Sequence, residues 1–202
     1  IFEDENFKEY LKEFKENNLK FSKPIDGFGS TTHVSVLDKQ GNAASITTTN
    51  GEGCGHTIPE YGIMMNNMLG EEDLNPFGFH NWTTKRRLPT MLSPIIITKN
   101  NKPKFIFGSG GSNRIRSANI QVILNLLIYK MNLQDAISQP RLHLEGNTLF
   151  HEPNTEFSIN KNIKLKPFKS KSLFFGGVNA VSKKSSFSDE RRGGHSIICL
   201  LY

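Results

Sequence analysis

Gly29-Ser30-Thr31-Thr32-His33-Val34-Ser35-Val36-Leu37-Asp38 is the stretch on which the reading of this chain turns. From Thr31 onward polar and apolar residues alternate. His33, Ser35 and Leu37 share one face, and Thr32, Val34 and Val36 share the other, which predicts a strand. The residues before it, Asp26-Gly27-Phe28-Gly29-Ser30, are mostly small or polar and predict a loop. A loop running straight into a strand that begins with Thr is what an N-terminal nucleophile requires. Cleavage between Ser30 and Thr31 frees the Thr31 α-amino group, which ordinarily titrates at about 7.7–8.0. That amine can then take the proton of its own hydroxyl. A strand of solvent-facing threonines satisfies the same pattern, and on these residues alone both readings stand.

Working outward, Lys39-Gln40-Gly41-Asn42 predicts a turn and Ala43 to Thr49 a returning strand. Such a hairpin carries the Thr47–Thr49 end back beside Thr31, where a hydroxyl can bond the nucleophile. A glycine-rich loop (51–59), a strand (Tyr61 to Asn66) and a long acidic loop (Met68 to Trp82) follow. Ile95 to Thr98 and Lys104 to Gly108 predict a second hairpin around Lys99-Asn100-Asn101-Lys102-Pro103. It leads into Gly108-Ser109-Gly110-Gly111-Ser112-Asn113 and then a helix over about 114–130. Ile115, Ala118, Val122, Leu126 and Tyr129 share one face of that helix, and Ile120, Ile123, Leu124 and Leu127 widen it. A glycine loop entering a helix offers backbone N–H groups to a negative charge. The P-loop spacing and lysine are missing, so an oxyanion hole fits better than a phosphate cradle.

Upstream, Phe7, Tyr10, Leu11 and Phe14 predict a helix over 5–16. Downstream, Asn132 with Asp135 three residues on predicts a capped short helix ending before Pro140. Leu142 to Phe150 predicts a strand pair. Residues 152–172 read as a variable lysine-rich surface segment, and Phe174 to Val181 and His195 to Leu201 as strands. His143 and His151 show no metal-ligand spacing and read as structural.

Five of these motifs, in this order, resemble the γ-glutamyltransferase (γ-glutamyltranspeptidase) family. Thr31-Thr32-His33-x-Ser35-Val36, with Asp38, Gly41-Asn42-Ala43 and Thr47-x-Thr49, resembles the start of its small subunit. Gly62-Ile63-Met64-Met65-Asn66-Asn67 is similar to its Gly-Ile-x-Leu-Asn-Asn, and Gly108 to Ile115 to its Gly-Ser-Pro-Gly-Gly-Ser-Arg-Ile. Gln139-Pro140-Arg141-Leu142-His143 is similar to its Ala-Pro-Arg-Phe-His, and Ser188 to Gly194 to its late Asp-Pro-Arg stretch. The version here looks most like the divergent γ-glutamyltransferase-like branch of bacteria and archaea.

The resemblance implies an α+β fold, an αββα sandwich of the N-terminal-nucleophile hydrolase type. It makes residues 1–30 the tail of the large-subunit part plus the cleavage linker, and 31–202 the small-subunit catalytic domain. The implied reaction is γ-glutamyl transfer or hydrolysis by Thr31, after autoproteolysis between Ser30 and Thr31. Thr49 assists the nucleophile, and Gly111 and Ser112 form the oxyanion hole. Asn50, Glu71 and Thr90 are the implied substrate-binding residues. Glu71 stands in a shifted version of the family's acidic position, while Met68 and Pro89 depart from the pattern. No metal or organic cofactor is implied. The implied partner is the large subunit of the same precursor, which carries the arginine for the substrate carboxylate. A related acylase with another acyl group, or an unprocessed homologue serving in binding, stays open beside the γ-glutamyl reading.

Composition bounds the rest. The 202 residues are 36% hydrophobic and 22% charged, enough for one domain with a sizeable core. No apolar run approaches the roughly 20 residues of a membrane span. The opening Ile1-Phe2-Glu3-Asp4-Glu5 is acidic and is not a signal peptide. The net charge is +6, but the lysines of 161–184 lack the interleaved aromatics or recognition motif of a nucleic-acid site. Two cysteines, Cys54 and Cys199, suggest no disulfide framework.

The expected outcome for the full precursor is a split between Ser30 and Thr31. Intact-mass analysis checks it: wild type gives two fragments, Thr31→Ala stays whole, and Thr32→Ala is slowed less. A folded wild-type precursor that stays uncut on prolonged incubation would overturn it.

Overall fold

The computed structural model describes residues 31–51, 53–159 and 162–199. The predicted helix over 5–16 and the Ser30 side of the junction lie outside the described residues. The alternating stretch after Thr31 forms β1 (Thr32–Leu37), which pairs antiparallel with β2 (Ala43–Thr48), Thr32 opposite Thr48. Asp38 closes the turn by accepting from the Asn42 backbone and side-chain N–H groups, both at 2.7 Å.

A short hairpin, β3 (Thr57–Ile58) with β4 (Ile63–Met64), replaces the longer strand expected over Tyr61 to Asn66. The acidic loop contains two 3-10 turns, Met68–Gly70 and Glu72–Leu74. β5 (Ile95–Lys99) and β6 (Lys102–Gly110) are joined by Asn100 and Asn101, both at positive φ. That two-residue turn suits asparagine, and it is tighter than the five-residue turn expected.

Two helices follow, α1 (Arg114–Leu127) and α2 (Leu133–Ser138). The Asn132 cap on α2 is present, its Oδ1 accepting from the Asp135 N–H at 2.9 Å. The buried face of α1 carries Ile115, Ala118, Val122 and Leu126, as the spacing predicts. Tyr129, Ile120 and Leu124 do not join it. They point outward, and Tyr129 lies beyond the last helical turn.

β7 (Leu142–Glu145) and β8 (Thr148–His151) form the expected pair. β9 (Lys164–Pro167) joins them in parallel, inside the segment read as variable surface. That segment also begins with Glu152, which is wholly buried. β10 (Gly177–Ser182) is extended by β11 (Ser186–Ser188), which the sequence reading missed. The strand expected over His195 to Leu201 is absent among the described residues 195–199.

β11, β10, β6 and β5 form one sheet in that order. α1 and α2 pack on one face around Phe107, Ala118, Val122, Leu126, Leu133, Ile137 and Val178. The β1–β2 hairpin lies on the other face, where Ser45 Oγ donates to Phe107 O and Ser35 Oγ to Asn179 O. The layers are therefore hairpin, sheet, helices. Phe107 points to the helices, whereas Gly108 and Gly110 lie against β1. A Cβ on Gly108 would meet the His33 ring at 2.4 Å, and one on Gly110 would meet Thr31 O at 2.6 Å. Only glycine permits so close an approach.

Four buried charges tie the far loops to this sheet. Arg141 Nη2 donates to Asp189 Oδ2 at 2.6 Å, and Arg191 Nη2 to Glu152 Oε2 at 2.6 Å. Backbone N–H groups of Arg141, Ser172 and Val178 also bond these carboxylates. Burial lowers the Arg141 pKa. Burial also acts to lower that of Arg191, but the bonds and charges of Glu152 and Asp189 raise it overall. Such a network stands because every member is paired.

Gly108→Ala is expected to cost about 1–3 kcal/mol by overpacking, read as a lowered denaturant midpoint. The added cost should shrink in a His33→Ala background, which empties the space the methyl needs. An unchanged midpoint, or the same cost in both backgrounds, would count against this packing.

Candidate active site

The hairpin register sets the centre of the site. Because Thr32 faces Thr48, the next pair outward is Thr31 and Thr49. Their hydroxyl oxygens lie 2.9 Å apart, and either can donate. The Gly51 N–H donates to Thr49 Oγ1 at 3.0 Å, fixing its direction. Asn50 contributes through its backbone, its carbonyl accepting from the N–H groups of Gly53 and Asn67. This brings the acidic loop to the same corner. A Cβ on Gly51 would stand 2.5 Å from Glu71 Oε1 and 3.0 Å from the Asn67 backbone. Glu71 is half-buried there. Asn75, itself buried, holds its turn by donating to Leu69 O and Glu71 O while accepting from Trp82 Nε1.

On the other side of Thr31 lies the end of β6. Gly111 and Ser112 follow the Gly110 that abuts Thr31 O, and their carbonyls accept from the Arg114 and Ile115 N–H groups at the start of α1. Ser112 sits at φ 52°, which a non-glycine residue adopts only under constraint. Beside the loop is a cleft of about 440 Å³, lined among others by Thr31, Thr32, Asn179, Arg192, Gly193 and Gly194.

The structure thus gathers Thr31, Thr49, Asn50 and Glu71 around one corner, and Gly111 and Ser112 follow the Gly110 that abuts it. Thr90 is not gathered. It is exposed, and its Oγ1 accepts from the Leu92 N–H at 3.1 Å, so its hydroxyl serves its own turn. His33, Asn179 and Arg192 were not singled out from sequence. His33 Nδ1 lies 2.7 Å from Thr47 Oγ1 and Nε2 lies 2.8 Å from Ser35 Oγ. Asn179 Nδ2 donates to His33 O, clamping β1 to β10. Burial pushes the His33 pKa down to about 4. The imidazole is therefore neutral at pH 7 and serves as a hydrogen-bonded spacer between β1 and β6. Its inward side of the alternating strand was legible. Its partners were not.

The sequence model of the gamma-glutamyltranspeptidase family matches residues 3–199. The chain belongs to that family. Among curated relatives, the glutathione hydrolase proenzyme of Bacillus subtilis (strain 168) is 37% identical over 117 residues, covering 57% of this chain and 20% of the relative. The acylase ACY 1 proenzyme of Pseudomonas sp. (strain V22) is 32% identical over 157 residues, covering 75% and 28%. A solved structure of Helicobacter pylori gamma-glutamyltranspeptidase, a T380A mutant, is 28% identical with a TM-score of 0.61, covering 79% of this chain and 99% of that one. The chain spans about a fifth of the length of the first curated relative. The fold is α+β, the small-subunit portion of an αββα sandwich of the N-terminal-nucleophile type. Among the described residues no helix is long and apolar enough to cross a membrane.

A pH test follows from His33. Its pKa is about 6.5 in the unfolded chain and about 4 in the fold. The stability it contributes is whole above about 6.5 and is lost as pH falls through that window toward 4. Thermal melts between pH 7 and 4 should show a shallower fall for His33→Gln than for wild type. The slope left in the variant includes His143, which burial also shifts down. Identical slopes would remove His33 from the account.

Proposed function

We propose that this chain is the catalytic part of a γ-glutamyl acyl-transfer enzyme, a γ-glutamyltransferase or glutathione hydrolase, with Thr31 as nucleophile. The observation that carries the reading is the Thr31–Thr49 hydroxyl pair at 2.9 Å, beside a glycine loop, at the head of a strand. Autoproteolysis between Ser30 and Thr31 supplies the base: the new α-amino group removes the hydroxyl proton while Oγ attacks the γ-amide carbonyl. Gly111 and Ser112 N–H groups hold the oxyanion, and removing one such donor typically costs about 2.7–4 kcal/mol. The amine passes its proton to the leaving nitrogen, the C–N bond breaks, and a Thr31 ester remains. Water then releases glutamate, or an amino acid takes the acyl group.

Residues 1–30 are then the large-subunit tail and linker, and 31–202 the catalytic small subunit. The partner is the large subunit of the same precursor, and the proenzyme names of the relatives support it. So does the outer face of β1–β2, where Val34, Val36 and Ile46 are each at least half exposed. An αββα sandwich has a helical layer on that side, and among the described residues α1 and α2 lie on the opposite one.

Glu71 is proposed to hold the substrate ammonium, and Asn50 to shape that corner. The placement of Thr90 favours a second reading, an acylase with another acyl group, because its hydroxyl serves its own turn. One comparison separates the two: turnover of a γ-glutamyl anilide against the same anilide lacking the α-amino group. The expected result is a strong preference for the aminated compound. In Glu71→Gln, KM should rise by about 10- to 150-fold, the value of one charged hydrogen bond, with a smaller change in kcat. Thr31→Ala should abolish turnover. Equal kcat/KM for both anilides would replace the γ-glutamyl reading with the acylase one.

A further inference from the structure

The end of the sheet away from Thr31 gathers positive charge. The order β11, β10, β6, β5 puts the β5–β6 turn and the β10–β11 turn on either side of the start of β6. Lys99 stands directly opposite Lys102 across the first turn. Lys104, two residues further along β6, shares the face of Lys102. Phe105 stands opposite Ser182, so the second turn begins beside these lysines. The Ser182 N–H donates to Ser185 O at 2.7 Å and the Ser185 N–H to Ser182 Oγ at 3.1 Å, which leaves Lys183 and Lys184 at the tip. Lys99, Lys102, Lys104, Lys183 and Lys184 thereby line one groove of about 500 Å³, with Phe105 in its wall. No lining residue is acidic, and none of these lysines forms an ion pair among the described residues.

Local rules oppose such an arrangement. Like charges directly opposite on paired strands are destabilising, so a neutral residue at 99 or 102 would serve the hairpin better. Where a sequence breaks a local rule with no compensation inside the fold, a functional site is the expected reason. A groove of this volume suits a small molecule, and a concavity lined by one sign of charge concentrates ions of the other. The cations are all lysine. A forked guanidinium matches one planar carboxylate, whereas ammonium groups are point charges with freely turning donors. Several of them together suit an anion whose charge is spread over linked tetrahedral groups.

We propose that this groove binds a small, soluble, multiply phosphorylated anion, held between Lys102 and Lys104 on one turn and Lys183 and Lys184 on the other. β6 runs from this groove to the Gly110 that abuts Thr31, about 26 Å at 3.3 Å per residue. The binding is therefore separate from the reaction proposed at Thr31, and its test needs no turnover.

The full-length protein is titrated calorimetrically with tripolyphosphate and with citrate, a tricarboxylate. The variants are Lys102→Gln with Lys104→Gln, and Lys183→Gln with Lys184→Gln. A control of equal charge change is Lys164→Gln with Lys166→Gln on β9, outside the groove. Every lysine changed is exposed, and thermal melts check that the variants fold. The two groove pairs lie on different turns, so either one carries the comparison if the other does not fold. The expected result is one tripolyphosphate per chain, bound more tightly than citrate. Each groove pair should weaken it at least about 10-fold, the lower value for one charged hydrogen bond. The control should change it by less than about 3-fold, within ordinary surface-mutation effects. No binding to wild type, equal losses in groove and control pairs, several anions per chain, or citrate bound as tightly would each overturn the proposal. Capture by phosphatidylglycerol vesicles that excess tripolyphosphate does not release would mark a lipid surface and overturn it as well.

Discussion

The site depends on how closely β1 lies on β6. Two sheets normally pack about 10 Å apart, with side chains filling the gap. Here the gap is narrowed where it matters, because Gly108 and Gly110 present no side chain to β1. The His33 ring takes the space over Gly108, and the Thr31 carbonyl takes that over Gly110. Thr31, the proposed nucleophile, and the loop proposed to hold its oxyanion are thereby set by one contact between two strands. A methyl group at either glycine would have to displace the His33 ring or the Thr31 carbonyl.

The buried charges act at one remove. Arg141, Glu152 and the Asp189–Arg191 turn come from three separate places in the chain, and together the four charges are neutral. Removing one member leaves a buried charge uncompensated, which is far costlier than the pair is stabilising. What the network secures is the path of residues 189–194, and that path is one wall of the cleft. The next residue, Arg192, lays its stem on Gly177 and reaches the glycine loop.

Much of this was legible from local rules. The period-two alternation gave β1 and β2, and their turn fixed the register that pairs Thr31 with Thr49. The Asn132 cap and the inner face of α1 also followed from spacing. The errors came where tertiary contacts decide. Tyr129 fits the helical period, but the helix ends before it. Glu152 sits in a polar segment and is buried because two distant arginines converge on it. β9 is lysine-rich and pairs only because β8 offers it an edge. In the site, the hydroxyls and the glycine loop were readable. Arg191 and Arg192 were not separable, since adjacent arginines differ only in which carboxylates the fold brings to them.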